Sequence, residues 1–149
     1  MSQALIIHAP HDLRLETFET QPLQAGEVMV RVEAGGICGS DLHYYHHGGF
    51  GAVRIRHKMV LGHEAAGRIA QNAPDVQGLE IGDVVAVNPG LAFGPCSISL
   101  AALSNHCTAI LFYGSALRTP SVDTAFKPDL VCQAFPCVRV QYTSPAEPA

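Results

Sequence analysis

The sequence predicts a mainly β fold, an antiparallel, turn-rich and partly open barrel with short helices, and three observations carry that expectation. Fourteen glycines and 10 prolines punctuate 149 residues, a density that suits many short strands joined by turns rather than long helices. The apolar runs are short, and several alternate with polar residues, the period of a half-buried strand. Apolar residues make up 48% of the chain, enough for a real core in one compact domain, while the length falls short of two.

The elements follow in chain order. Residues 4–7 (Ala-Leu-Ile-Ile) and 13–18 (Leu-Arg-Leu-Glu-Thr-Phe) read as two short strands around a turn at Pro10-His11-Asp12. A loop at 21–27 leads into 28–34 (Val-Met-Val-Arg-Val-Glu-Ala), a half-buried strand that Gly35-Gly36 is expected to end. Residues 37–45 suit a short helical turn starting near Ser40-Asp41, and the glycine-rich, basic stretch 46–58 suits a surface loop. Val60-Leu61 enters a second strand-like run over 65–70, closed by a turn at Asn72-Ala73-Pro74. Gly82-Asp83 precedes a buried strand, Val84-Val85-Ala86-Val87, which Asn88-Pro89-Gly90 stops. Residues 90–110 show no clear period, and 97–103 take no assignment. Leu130-Val131-Cys132 and 137–140 (Cys-Val-Arg-Val) read as the last strands.

Composition narrows the function. A net charge of −4 offers no basic field for nucleic acid or an anionic membrane. No stretch reaches the ~20 apolar residues of a membrane span, and the start carries no charged segment before an apolar run, so the chain reads as cytoplasmic. Charged residues are only 15% of the total against a usual ~25%, which suggests apolar surface meant to be covered and a route to self-association. Five cysteines, at 38, 96, 107, 132 and 137, are an odd number in a leaderless chain, which argues against a disulfide framework. Metal binding, catalysis and plain burial stay open for each.

Two clusters hold residue types with chemistry. Gly35-Gly36-Ile37-Cys38-Gly39-Ser40-Asp41-Leu42-His43 sits at a strand end, and Gly62-His63-Glu64 sits directly before a strand. Thiolate, imidazole and carboxylate are the S, N and O donors of a catalytic zinc, which takes three protein groups and keeps one open position. A lone cysteine before a glycine is more often a small buried hydrophobe, and a lone His-Glu pair is more often a surface or hydrogen-bonded pair. Their conjunction within longer patterns favours the metal.

Those longer patterns resemble a family. Gly62-His63-Glu64-Ala65-Ala66-Gly67, with Ala73 and Val76 at matching offsets, resembles the signature of the zinc-containing medium-chain alcohol and polyol dehydrogenases. Cys38 to Tyr45 upstream and Gly82 to Pro89 downstream fall where that family has them. Gly35 to Tyr45 and Phe112 to Pro120 are similar to the branch that oxidises sugar acids of the L-idonate type. The resemblance is strong over residues 5–89, patchy over 90–140 and poor beyond.

It implies a GroES-like catalytic domain over 1–140 followed by a tail, 141–149. It also implies that Cys38, His63 and Glu64 hold one catalytic zinc, that Ser40 passes the substrate proton onward, and that His43 relays it to solvent. The substrate would be a small polyol or sugar acid, oxidised at a secondary alcohol with NAD(P). Tyr44 and Tyr45 are candidates for the pocket wall or for simple packing.

The sequence departs from this family in two places. Residues 90–110 resemble its structural-zinc lobe, but the four ligand positions are Phe93, Cys96, Ser99 and Cys107. Two thiols and a serine cannot close a structural site, so a second zinc is expected to be absent, with Cys96 and Cys107 as free thiols. In addition, no G-x-G-x-x-G follows a strand, so a dinucleotide-binding domain is expected to be absent from these 149 residues, as in a truncated enzyme. Ala146-Glu147-Pro148 is similar to a family segment whose glutamate approaches the metal, but at the chain end Glu147 reads first as a solvated tail residue. The leading expectation is therefore the catalytic portion of a dehydrogenase that is inactive by itself. The alternative is a non-catalytic zinc-binding remnant or pseudoenzyme with a GroES-like fold.

Overall fold

The computed structural model describes residues 2–92, 110–116 and 125–140. Among them are twelve strands and one helix, in the order β1 (Ser2–Ala9), β2 (Asp12–Phe18), β3 (Glu27–Gly36), α1 (Gly39–His47), β4 (Gly49–Phe50), β5 (Val53–Arg54), β6 (Met59–Val60), β7 (Glu64–Asn72), β8 (Val84–Val87), β9 (Gly90–Ala92), β10 (Ile110–Phe112), β11 (Asp129–Gln133) and β12 (Cys137–Arg139). No helix among the described residues is long and apolar enough to cross a membrane.

Every pairing is antiparallel. A five-stranded sheet runs β11-β3-β7-β8-β12, a three-stranded sheet runs β2-β1-β6, β4-β5 is a small hairpin, and β9 and β10 pair as a two-stranded sheet. The mainly β, partly open barrel expected from turn density is the architecture found. Val28 and Val30 of β3, Ile69 of β7 and Val85 of β8 are fully buried, packing with Leu130 and Cys132 of β11 into the main core. Alternation put them there: within β3, the side chains two apart from Val28 share one face of the pleat.

Segment 125–128 joins the two sheets, although it has no regular structure of its own. Phe126 accepts the backbone N–H of Leu5 in β1, while its own N–H donates to Leu61 O. Ala125 N–H donates to Gly62 O, and Val32 of β3 donates to Pro128 O. The Phe126 ring packs against all three apolar clusters of the domain. This one aromatic ring therefore sets the spacing between the sheet that carries β7 and the sheet that carries β6.

Several boundaries differ from the sequence expectation. Gly35-Gly36 does not end β3, because Gly35 and Gly36 pair with Ala65 and Glu64 of β7 and the ladder satisfies their backbone groups. The helix runs to His47 and stops at Gly48. The stretch 46–58 is not a plain loop: it carries the β4-β5 hairpin. Strands β9 and β10 lie at the borders of the region read as irregular. The candidate structural-zinc positions Phe93, Cys96, Ser99 and Cys107, the unassigned run 97–103 and the tail with Glu147 lie outside the described residues.

At the sheet edge, Asp83 ties the turn before β8 to β12. Its carboxylate accepts Glu80 N–H at 2.8 Å and pairs with the Arg139 guanidinium. The Glu80 N–H first, then Arg139, hold its carboxyl below the usual carboxylate range. The sign follows: this contribution is present above the unfolded-state pKa and is lost as acid titrates the folded carboxyl.

Candidate metal centre

Two elements start at this site, and each brings its ligands by local geometry. Cys38 is the residue before the first turn of α1, and its backbone N–H donates to the Asp41 carboxylate at 2.9 Å. An acidic group in the first turn satisfies a backbone donor that the helix itself cannot, and it favours the positive end of the helix dipole. That fixes where the Cys38 side chain leaves the backbone. His63 and Glu64 enter from the other side, at the start of β7.

Two glycines make room for them. Gly36 stands directly opposite Glu64 in the β3-β7 register, and a Cβ there would collide with the Glu64 carboxylate. Gly62 has φ +89°, and the Phe126 ring occupies the space its Cβ would need. Only glycine holds that backbone conformation at no steric cost, so Gly62 turns the chain such that His63 faces inward while Phe126 packs behind it.

The result is convergence. One ligand atom each from Cys38, His63 and Glu64 lies within 4.8 Å of the other two, and this is the one such group of three metal-ligating side chains among the described residues. A tetrahedral zinc needs donors roughly 3.3–3.8 Å apart, given bonds of about 2.0–2.3 Å, so adjustments of about an ångström or less seat the ion. His63 is 8% exposed, Cys38 is half-buried and Glu64 is exposed. The site is thus anchored inside and open outward, as an ion that keeps a position for a small molecule requires. The Phe112 ring lies 5.3 Å from the His63 ring and walls one side.

Sequence reasoning missed the part Asp41 plays. Only 3% exposed, it places Oδ1 3.7 Å from His63 Nδ1, and Oδ1 has no hydrogen-bond partner among the described atoms. A carboxylate on that side of the ring is placed to orient the imidazole of a metal-binding histidine. The signal was there in the sequence, an acid three residues after Cys38 at a helix start, but it reads as a cap unless its second oxygen can be followed to His63. An Asp41→Asn variant, which keeps the cap acceptor but not the charge, is expected to weaken zinc binding about tenfold, as a chelator competition titration would read.

Ser40 lies in the first turn of α1 and His43 three residues further on, so both occupy one face of the helix. His43 is exposed, with its ring 5.9 Å from that of His47 and 6.3 Å from that of Phe50. Tyr44 is a packing residue: it is buried with Ile7, Met59 and Leu61, and its hydroxyl accepts the Ala116 N–H at 2.9 Å. Tyr45 packs against the same cluster.

A GroES-like barrel edge presenting a sulfur, nitrogen and oxygen donor set defines the catalytic-domain type of the metal-dependent alcohol dehydrogenases. The chain belongs to the alcohol dehydrogenase GroES-like domain family, whose sequence profile matches residues 24–141. It is 39% identical over 124 residues to sorbitol dehydrogenase of Bacillus subtilis, covering 83% of this chain and 34% of that protein. It is 40% identical over 110 residues to L-idonate 5-dehydrogenase (NAD(P)(+)) of Escherichia coli, covering 74% of this chain and 32% of that one. The crystal structure of L-idonate 5-dehydrogenase from Escherichia coli superposes with a TM-score of 0.84 at 34% identity, over 93% of this chain and 39% of the other. The chain spans about a third of the length of these curated relatives.

Proposed function

We propose that this domain is the alcohol-activating part of a cytoplasmic zinc-dependent dehydrogenase that oxidises a secondary alcohol of a polyol or sugar acid, of the L-idonate type, with NAD(P). The convergence of Cys38, His63 and Glu64 carries the reading. These three residues would hold a zinc ion, which would supply the Lewis acidity that lowers the pKa of an alcohol toward neutrality. Ser40, two residues from Cys38, takes the alcohol proton through a hydrogen bond, and His43 on the same helix face hands it to solvent. Asp41, 3.7 Å from His63 Nδ1, helps to orient the imidazole. Similarity to relatives named for sorbitol, L-idonate and L-arabinitol supports a polyol or sugar acid as substrate.

The hydride acceptor is a nicotinamide, and placing it against the carbinol carbon is a large part of such catalysis. The 149 residues contain no G-x-G-x-x-G, so this chain assayed by itself forms no NAD(P)H. Ile37, Leu42 and Phe112 are exposed apolar surface, and the Phe112 ring lies beside that of His63. Self-association of the isolated chain through that surface is part of the same proposal.

The test loads the chain with cobalt(II) in place of zinc and titrates L-idonate and sorbitol while recording the visible spectrum. A saturable change in the metal bands, with no NAD(P)H formed, is expected. Bound metal whose spectrum ignores both compounds would favour the non-catalytic remnant. Measurable turnover by this chain alone would overturn the part of the proposal that makes it inactive.

A further inference from the structure

The five-stranded sheet has β11 at one edge and β12 at the other, yet the two are separated in sequence only by Ala134-Phe135-Pro136. That short connection brings the two edges back toward each other at a pair of thiols. The Cys132 and Cys137 sulfurs lie 3.5 Å apart. Neither belongs to the metal-ligating group of Cys38, His63 and Glu64.

The two thiols differ in access. Cys132 is 2% exposed and sits in the main core. Cys137, 9% exposed, lines a groove of about 540 Å³ whose walls include Asp75, Leu79, Phe135 and Arg139. They differ in chemistry as well. The contact with the Cys137 sulfur first, and burial second, push the Cys132 thiol far above the ordinary range. The same contact holds Cys137 below it, and the Cys137 Sγ also donates to Gln133 O at 3.7 Å. One sulfur therefore faces a groove, and the other is enclosed and adjacent to it. This is the arrangement of an attacking and a resolving cysteine.

We propose that Cys132 and Cys137 are a reversible redox site for hydrogen peroxide, with Cys137 attacking and Cys132 resolving. The Cys137 thiolate attacks one peroxide oxygen, the O–O bond breaks, and the departing hydroxide takes a proton to leave as water. This gives Cys137 sulfenic acid. The Cys132 sulfur then displaces the sulfenic hydroxyl, which departs as a second water with the Cys132 proton, and an S–S bond forms. In sum, two thiols are oxidised by two electrons and one peroxide is reduced to two waters. The sulfurs must close by about 1.5 Å to reach bonding distance, a movement within the reach of side-chain rotation and the 134–136 turn. The product ties the two edge strands together at the seam of the sheet. So short a loop removes little chain entropy, which suits a bond that a dithiol can reopen by exchange.

The experiment treats the zinc-loaded full chain with hydrogen peroxide, alkylates remaining thiols and maps the tryptic peptides. The peptide from Thr119 to Arg139 carries these two cysteines and no other. It should emerge 2 Da lighter than its reduced, unalkylated mass, carrying no alkyl groups, and return to a doubly alkylated form after dithiothreitol. In Cys132→Ser, Cys137 should be trapped as sulfenic acid by dimedone. In Cys137→Ser, Cys132 should remain a thiol. In the native reduced chain, Cys137 should alkylate at least tenfold faster than Cys132. Two alkylated cysteines after peroxide treatment, a sulfinic acid at Cys137 beside a free Cys132, or equal alkylation rates would each overturn the proposal.

Discussion

Cys38→Ala and His63→Ala should each abolish stoichiometric zinc binding while leaving the fold in place. A structural zinc with four ligands contributes about 10–16 kcal/mol, so one donor is worth roughly 3 kcal/mol, a factor of about 100 in Kd. That is more than the loss expected for Asp41→Asn, because in the proposed site Cys38 and His63 give donor atoms whereas Asp41 only orients one. The fold should survive because neither side chain belongs to the main core; the sheets are held by Val28, Val30, Ile69, Val85 and their neighbours. The measurements are elemental analysis of protein purified without chelator, expected at about one zinc per chain in the parent, and far-UV circular dichroism of the variants. Full zinc retention in either variant would place the ion elsewhere.

Gly62→Ala should lower stability by about 3 kcal/mol. Two costs add: about 1–2 kcal/mol for forcing a Cβ into left-handed backbone, and about 1–3 kcal/mol for overpacking against a ring. The ring is Phe126, which cannot retreat freely because it packs against all three clusters. In a domain of this size the loss corresponds to a fall of about 10 °C in Tm. Gly39→Ala is the control, since nothing lies within 4 Å of a Cβ at that position; it should leave Tm nearly unchanged. Gly62→Ala should also weaken zinc binding, because the turn that strains is the one delivering His63. A change in stability with no change in metal affinity would separate the fold role of Gly62 from its site role.

The sequence made some of this legible and hid the rest for physical reasons. Strand alternation and turn residues report local conformation, so β3, β7 and β8 and the mainly β class could be read directly. Cys38, His63 and Glu64 could be picked out because they sit inside contiguous patterns that resemble a known family; taken singly, each read more readily as packing or a surface pair. What could not be read depends on register and on contacts between distant segments. Gly35-Gly36 looked like a strand end, but pairing with Ala65 and Glu64 keeps it in the ladder, and that same register puts the Glu64 carboxylate where a side chain at Gly36 would sit. Phe126 sits in a segment with no period, so its place between the sheets left no local trace. Tyr44 follows a motif rich in site residues, yet its position on α1 turns it into the core. Asp41 has two oxygens with two tasks, and only the capping task is written in the neighbouring residues. Cys132 and Cys137 are five apart in sequence, a spacing that says nothing of a meeting between opposite sheet edges.

Zinc K-edge X-ray absorption on the chain loaded with one zinc tests the convergence of Cys38, His63 and Glu64 most directly. The expected first shell holds one sulfur at about 2.3 Å with nitrogen and oxygen donors completing it, and the sulfur disappears in Cys38→Ala. A shell of nitrogen and oxygen alone, or a sulfur contribution that persists in Cys38→Ala, would contradict the site.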